Sequence, residues 1–405
     1  MATQEEIKKD PLRPLILDVG TNTFRLGYAG DDFPEILVPS VYVDGDNFLF
    51  TSDVIDGLED IFASKGELQK FLFGEEALKY KHILRINEFR KEKNYNIFLK
   101  FFEYYYKKLE IAPEFRYKQP IIMIAPFLMT EMEKTKFQQI FLNELNFPQI
   151  LFLSESQAIM ATLQKNSGVV VNMGESQTYI DCFFHGFTKI MARDVYPIAG
   201  KELTNHMLNM SLIKKGSGKQ LYLDNLIAKE IKEKTSLCVL NPIEERKRIN
   251  NGLTKYDKII NLPDGNSLKI NMERFLLAEP LFNPALLHID YINLAEAIAK
   301  VVKSWDRENW EELISTIILS GGGSLIPGLK ERLKIELQKS FPLKINPQIN
   351  VIAVKERDNM SWIGASILFL RKQLLKGWIE NENKPGEVIQ EDDQKINQEN
   401  IENNN

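Results

Sequence analysis

The chain alternates between short continuous apolar runs and longer stretches in which apolar residues recur every three or four positions. The first pattern reads as buried strand and the second as amphipathic helix. Leu15-Ile16-Leu17 leads into Asp18, Gly20 to Thr23 forms a small polar turn, and Phe24 to Tyr28 returns, so this stretch predicts a β-hairpin. A second copy follows, in which Val169-Val170-Val171 leads into Asn172, then Gly174, a polar turn and a returning strand to Ile180. Asn172 stands where Asp18 stood, and Gly174 where Gly20 stood. Further strands are expected at 35–43, 120–126, 149–153 and 316–319, with a hairpin over 259–272 about the Pro263-Asp264-Gly265 turn. Helices are expected at 98–108, 130–143, 154–164, 201–210, 223–234, 294–304, 328–337 and 361–375, with Thr130 as an N-cap and Pro327 near a helix start. Self-similarity at so long an offset points to two related domains rather than a short-period solenoid.

A glycine-containing turn brings backbone N–H groups up to an anion. Thr21 adds a hydroxyl, Arg25 a cation on the far side of the hairpin, and Asp18 a carboxylate suited to Mg²⁺ through water. Taken alone, the first hairpin reads as a tight turn with incidental polar residues. The second copy changes that, because two such turns facing each other would clamp a nucleotide. Phe101, Phe102, Tyr104, Tyr105 and Tyr106 could make a stacking platform for nucleic acid. A net charge of −5 instead favours the core face of an amphipathic helix and gives no electrostatic case for nucleic-acid binding.

With 405 residues, 44% of them hydrophobic and 26% charged, the chain can fill two cores. Cys182 and Cys238 offer no disulfide framework, so a reducing compartment is expected. His82, His185, His206 and His288 have no metal-ligand spacing. The charged N-terminal stretch does not read as a signal peptide, and no apolar run approaches membrane-spanning length, so a soluble intracellular protein with no membrane contact is expected. Beyond Trp378 the chain is rich in Asn, Gln and acid, the composition of a disordered tail.

Specific motifs narrow the reading. Gly-Tyr-Ala-Gly-Asp-Asp-Phe-Pro at 27–34 and Val-Pro-Ser at 38–40 resemble the opening of actin. Collinear matches continue with Gly-Glu-Glu-Ala (74–77), Glu-Ile-Lys-Glu-Lys (230–234), Leu-Pro-Asp-Gly (262–265), Glu-Arg-Phe (273–275) and Leu-Phe-Asn-Pro (281–284). Leu-Ser-Gly-Gly-Gly (319–323), Pro-Gly (327–328) and Ser-Trp-Ile-Gly-Ala-Ser-Ile-Leu (361–368) complete them. The chain is identified as a divergent member of the actin family. That resemblance implies an α/β, two-lobed fold with duplicated mixed β-sheet domains around a central nucleotide cleft. It implies a first core from 1–39, 88–164 and 360–380, and a small outer lobe at 40–87. The second core would comprise 165–198 and 285–359, its outer lobe 199–284, and the tail 381–405.

The resemblance also assigns a site for ATP or ADP with Mg²⁺. Gly20, Thr21, Asn22 and Thr23 would contact the β-phosphate with Arg25, which replaces the usual lysine, and Asp18 would organise Mg²⁺ through water. Gln157 would position the attacking water. In the second hairpin Gly174 is retained, whereas Glu175 replaces an aspartate and Ser176 a glycine. Asn172 replaces the second metal-organising aspartate, and Tyr179 a histidine that polarises the water. Gly200, Lys232 and Glu233 would meet the ribose and adenine, and Gly321 and Gly322 would form the loop beneath; Lys232 and Glu233 otherwise read as a solvated helix face. Asp358 falls where actins carry a lysine, and Ile326 replaces a stacking tyrosine. With one carboxylate and the histidine lost, Mg²⁺ organisation is expected to weaken and hydrolysis to be slow or absent.

The function expected is therefore that of an ATP-binding, at most weakly hydrolysing, cytoskeletal protein of the cytoplasm. Its partners would be actin-like or other protein subunits, self-assembly included. The alternative is a non-polymerising subunit of a large complex, chromatin remodeller or dynein activator, with a nuclear site open to a eukaryotic chain. A sugar kinase of the wider superfamily fits less well, since no catalytic base is evident. The altered outer-lobe loop (44–69), the segment 285–293 and the tail all fall on actin filament contacts.

Overall fold

The computed structural model describes residues 10–46, 63–64, 67–68, 70–81, 83–213, 224–262, 265–374 and 376–382. Most of the expected outer-lobe loop, the Pro263-Asp264 pair and the tail from 383 onwards lie outside these residues. Two mixed sheets organise the chain. In the first, the strand order is Ile379–Glu380, Gln149–Ser154, Ile121–Ala125, Leu15–Val19, Thr23–Tyr28, Ile36–Pro39. In the second it is Arg193–Tyr196, Thr178–Phe183, Gly168–Met173, Ile317–Ser320, Val351–Ile352. Each sheet has a leading hairpin whose first strand runs parallel to the next strand inward, and that strand is parallel to the one beyond. The duplication seen in two short motifs thus extends to whole sheets. The fold is α/β, two-lobed and actin-like.

The strands form where the aliphatic runs predicted them, because a strand covered on both faces must be apolar throughout. Leu15–Val19 and Gly168–Met173 are buried along their whole length. The aromatic helix spans Tyr95–Lys107 and buries Phe98, Phe101, Phe102, Tyr105 and Tyr106 against the first sheet. Phe101 meets Phe24 edge-on at 5.1 Å and Phe73 at 5.3 Å, an arrangement that favours ring edges over faces. These rings are core. Thr130 caps the helix from Glu131 in a reciprocal capping box with Glu133.

The long stretch expected as one strand over 35–43 divides at Ser40-Val41 into Ile36–Pro39 and Tyr42–Asp44. The last long helix ends at Leu370, not 375. The chain then contributes an edge strand of the first sheet, and the buried Asn381, expected in the tail, donates its amide to the carbonyls of Leu142 and Phe147. Composition missed this because one buried asparagine carries no periodic signal.

Between the sheets lie two helices, Glu155–Thr162 and Met360–Leu370. Ala158, Trp362 and Ala365 pack on Ile16, Ile122 and Ile124 of the first sheet. Ile159, Met160 and Met360 pack on Val170, Phe183 and Ile318 of the second. The helices approach so closely at Gly364 that a Cβ there would stand 1.7 Å from the Ala158 carbonyl oxygen. Gly364→Ala would gain about 1 kcal/mol of helix propensity. Backbone must move to admit the methyl, and overpacking of this kind costs ~1–3 kcal/mol or more. The backbone clash places this site at the upper end of that cost, so we expect a net loss of about 2 kcal/mol, read as a lower urea midpoint at unchanged slope.

Candidate functional site

The two hairpins end in the same turn. Gly20 N–H donates to the Thr23 carbonyl at 3.0 Å, and Gly174 N–H donates to the Gln177 carbonyl at 2.8 Å. Across each hairpin the residue pairs correspond as well, Asp18 with Arg25 and Asn172 with Tyr179. A Cβ on Gly20 would lie 2.8 Å from the Thr23 carbonyl oxygen, so the closed turn favours glycine. The turns meet directly, Ser176 Oγ donating to Thr21 Oγ1 at 2.8 Å.

A cavity of about 390 Å³ lies beside them, within the range of small-ligand sites. Asp18, Gly20, Thr21, Asn22, Thr23 and Arg25 of the first hairpin line it, as do Gly174 and Glu175 of the second. Gly200, Lys232 and Glu233 close one side, and Gly321 and Gly322 another. Gly321 adopts φ 80°, and a Cβ there would stand 2.5 Å from the Met173 carbonyl oxygen and 2.6 Å from Asn172 Oδ1. A side chain at that point would strike the floor of the second hairpin.

Each nitrogen of the Arg25 guanidinium makes one hydrogen bond. It donates to Asn359 Oδ1 at 2.7 Å, to the Asp358 carbonyl at 2.8 Å and to Asp18 Oδ2 at 3.2 Å. Ser361 Oγ donates to the same Asp18 oxygen at 3.0 Å. Asp18 is thus oriented by two donors and opens on the cavity. Lys232 is buried, donates to the Gly200 carbonyl at 2.8 Å and pairs with Glu175 Oε2 at 3.4 Å. Burial lowers its pKa, opposed mainly by the Glu175 charge. This lysine is therefore not on a solvated helix face. Lys229 reaches Asn22, and Lys81 pairs with Glu230 across the mouth.

Gln157 is not in this cavity. It projects from the opposite side of its helix into a separate hollow lined by Leu151, Phe152, Met160 and Arg371. Residues two apart on a helix cannot share a face, and the helix begins at Glu155, so Glu155 takes the cleft position. Glu155 Oε1 accepts from Asn172 Nδ2 at 2.8 Å, and Oε2 accepts from the Tyr179 hydroxyl. Phe127 stacks on the Tyr179 ring at 5.5 Å. Helix phase was the signal that could have found Glu155, since Ser154 closes a strand and the next residue starts the helix. Ser361 was legible only as the first residue of the Ser-Trp-Ile-Gly run, and Asn359 only as its flank.

Among the described residues, no three His, Cys, Asp or Glu side chains are grouped to hold a metal ion directly. The hard oxygen of Asp18 suits a divalent cation carried in by a phosphate ligand and met through water. The glycine cradle and the cations at its rim suit the phosphates themselves.

Duplicated sheets, each presenting a glycine-closed turn to a shared cleft, define a two-lobed clamp protein. The actin family profile matches residues 9–383, and the chain belongs to the actin family. It is 26% identical over 360 residues to Actin-like protein 7A of Rattus norvegicus, covering 88% of this chain and 77% of that one. It is 26% identical over 372 residues to an actin-like protein of Neurospora crassa, covering 90% and 93%. With the human Actin-like protein 7A the identity is 25% over 371 residues, covering 91% and 80%.

Burial, and then the neighbouring charge of Asp18, push the Glu155 carboxyl up to about 7. A carboxyl whose pKa is raised by folding stabilises the fold while protonated. That contribution is complete below its ordinary value of 4.5 and is lost as pH rises through about 7. The nucleotide-free protein should therefore lose part of its melting temperature between about pH 5 and 7.5, and Glu155→Gln should flatten that loss.

Proposed function

We propose that the chain binds ATP or ADP with Mg²⁺ in this cleft, hydrolyses ATP slowly if at all, and works through assembly with protein partners in a cytoskeletal setting. The observation that carries the reading is the pair of equivalent turns, Gly20 to Thr23 and Gly174 to Gln177, brought together beside one cavity. Phosphoryl binding needs N–H donors, cations and a metal platform. Here these are the turn backbones, Lys229 beside Asn22 of the first turn, and Asp18. Arg25 acts through Asp18, holding its carboxylate in place, and lends positive charge to the phosphate end. Gly200, Lys232 and Glu233 form the side suited to the sugar and base, with Ile326 as an apolar wall.

Slow turnover follows from the neighbours of Glu155. Its oxygens accept hydrogen bonds from Asn172 and from Tyr179, which turn the carboxylate toward the second hairpin and put a phenol where the resemblance expects a histidine. The Tyr179 phenol is held well above its ordinary pKa by burial and then by the Glu155 charge, so it is neutral and cannot take a proton from water. Bound nucleotide would instead serve mainly to join the lobes. Linkage of this kind contributes about 3–4 kcal/mol when ligand exceeds its dissociation constant ~100–1,000-fold.

Assembly is supported by exposed apolar side chains. Phe187, Ile190 and Met191, close together after the second hairpin, are 75%, 90% and 77% exposed. Clustered exposed apolar side chains mark protein contacts. No helix among the described residues is long and apolar enough to cross a membrane.

Asp18→Ala is expected to weaken Mg-ATP binding by about 100-fold, the upper end for groups that act on a metal through an intervening shell. Unchanged affinity by equilibrium dialysis would remove Asp18 from the site. High-speed sedimentation in Mg-ATP against an EDTA control separates the two modes of assembly. A Mg-ATP-dependent pellet containing ADP identifies a filament-forming ATPase, and a soluble species retaining ATP identifies a subunit of a larger complex.

A further inference from the structure

The second hairpin lacks the carboxylate that its position in the duplication calls for, since Asn172 stands opposite Asp18 in the repeat. Read along the chain, this is the loss of one negative charge from the cleft. In three dimensions a carboxylate stands directly beside the asparagine. Glu155, the first residue of the helix between the sheets, places Oε1 2.8 Å from Asn172 Nδ2, and both residues line the cavity with Asp18. Resting on the nucleotide reading above, we infer that Glu155 and Asn172 are an exchanged carboxylate–amide pair, with Glu155 as the second group, beside Asp18, that orders the water shell of the nucleotide-bound Mg²⁺.

The chemistry of the pair explains why the exchange must involve both partners. A carboxylate only accepts and an amide can donate, so one of each makes a satisfied hydrogen bond whichever backbone carries which. Two carboxylates at 2.8 Å would repel, and one would hold a proton. Two amides would satisfy the bond but remove the charge. Tyr179 fits the same logic, since its hydroxyl donates to the other Glu155 oxygen and accepts from Asn172 Nδ2 at 2.6 Å. Glu155 therefore reaches the cleft already oriented, and a carboxylate has lone pairs left for a metal-bound water. The site keeps two carboxylates, Asp18 on the first hairpin and Glu155 at the start of the helix between the sheets, and weakened metal organisation is no longer implied by Asn172.

The full chain tests this with isosteric substitutions. ATP affinity is measured by equilibrium dialysis across a Mg²⁺ titration that begins in EDTA, for the parent, Glu155→Gln and the double exchange Glu155→Gln with Asn172→Asp. Melting temperatures of the nucleotide-free proteins confirm folding. The parent should bind ATP more tightly as Mg²⁺ rises. Glu155→Gln should lose about 10-fold or more of that Mg²⁺-dependent gain, without losing affinity in EDTA, where the carboxylate only repels phosphate. The double exchange should restore the gain to within about three-fold of the parent, since it returns the carboxylate from the hairpin side. A folded Glu155→Gln with the parent's full Mg²⁺ dependence overturns the inference while leaving nucleotide binding intact. A folded double exchange no better than the single one overturns it equally. A parent that binds no ATP at any Mg²⁺ concentration overturns the nucleotide reading of the cleft, and this inference with it.

Discussion

The crossing of the Glu155–Thr162 and Met360–Leu370 helices is the contact on which both lobes depend. Two sheets, each apolar on its inner face, need a shared filling, and this helix pair provides it with one face turned to each. The approach is close because Gly364 has no side chain to hold the helices apart. Dense packing of backbone on backbone resists continuous deformation, so this contact holds the ends of both helices in fixed relation. Those ends are where the cleft lies.

Both helices start at the cavity, and their first residues make its chemistry. Glu155 opens one and meets the second hairpin through Asn172 and Tyr179. Asn359 and Ser361 flank the start of the other and hold Arg25 and Asp18 of the first hairpin. Each hairpin is thus tied to a helix as well as to its own sheet. A ligand that draws the turns together would act on the same two helices that fill the space between the lobes. The polar contacts across the cleft, Thr21 with Ser176 and Lys81 with Glu230, are on exposed or half-exposed side chains, where ion pairs contribute little. They set the geometry of closure more than its energy.

The departures that the resemblance marks in the cleft fall on hydrogen-bonded partners. Asn172, Glu155 and Tyr179 form one hydrogen-bonded unit, and Glu175 spans to Lys232 over Gly200. In buried polar groups a change on one side leaves a partner unsatisfied unless the other side changes too. Single positions therefore misstate what the cleft retains, and the Arg25 network with Asp358 and Asn359 belongs to the same pattern.

Sequence alone determined the α/β class and the duplication, and it picked out most of the residues that line the cleft cavity. The aliphatic runs ending in Asp18 and Asn172 mark buried strands because only apolar residues can fill both faces of a sheet. The glycines at 20, 174 and 321 mark close backbone approach, where an added Cβ would stand 2.5–3.0 Å from a carbonyl oxygen. These signals are local, and local chemistry is what a sequence writes down. Tertiary structure decided what depends on facing. It turned Gln157 away from the cleft and Glu155 into it, because a helix displays residues two apart on opposite sides and its phase is set by packing on the sheets. It drew Asn381 into the core and engaged Arg25 with Asn359, through partners 239 and 334 residues away. Such pairings join segments that carry no mark of one another, and only the folded chain brings them within reach.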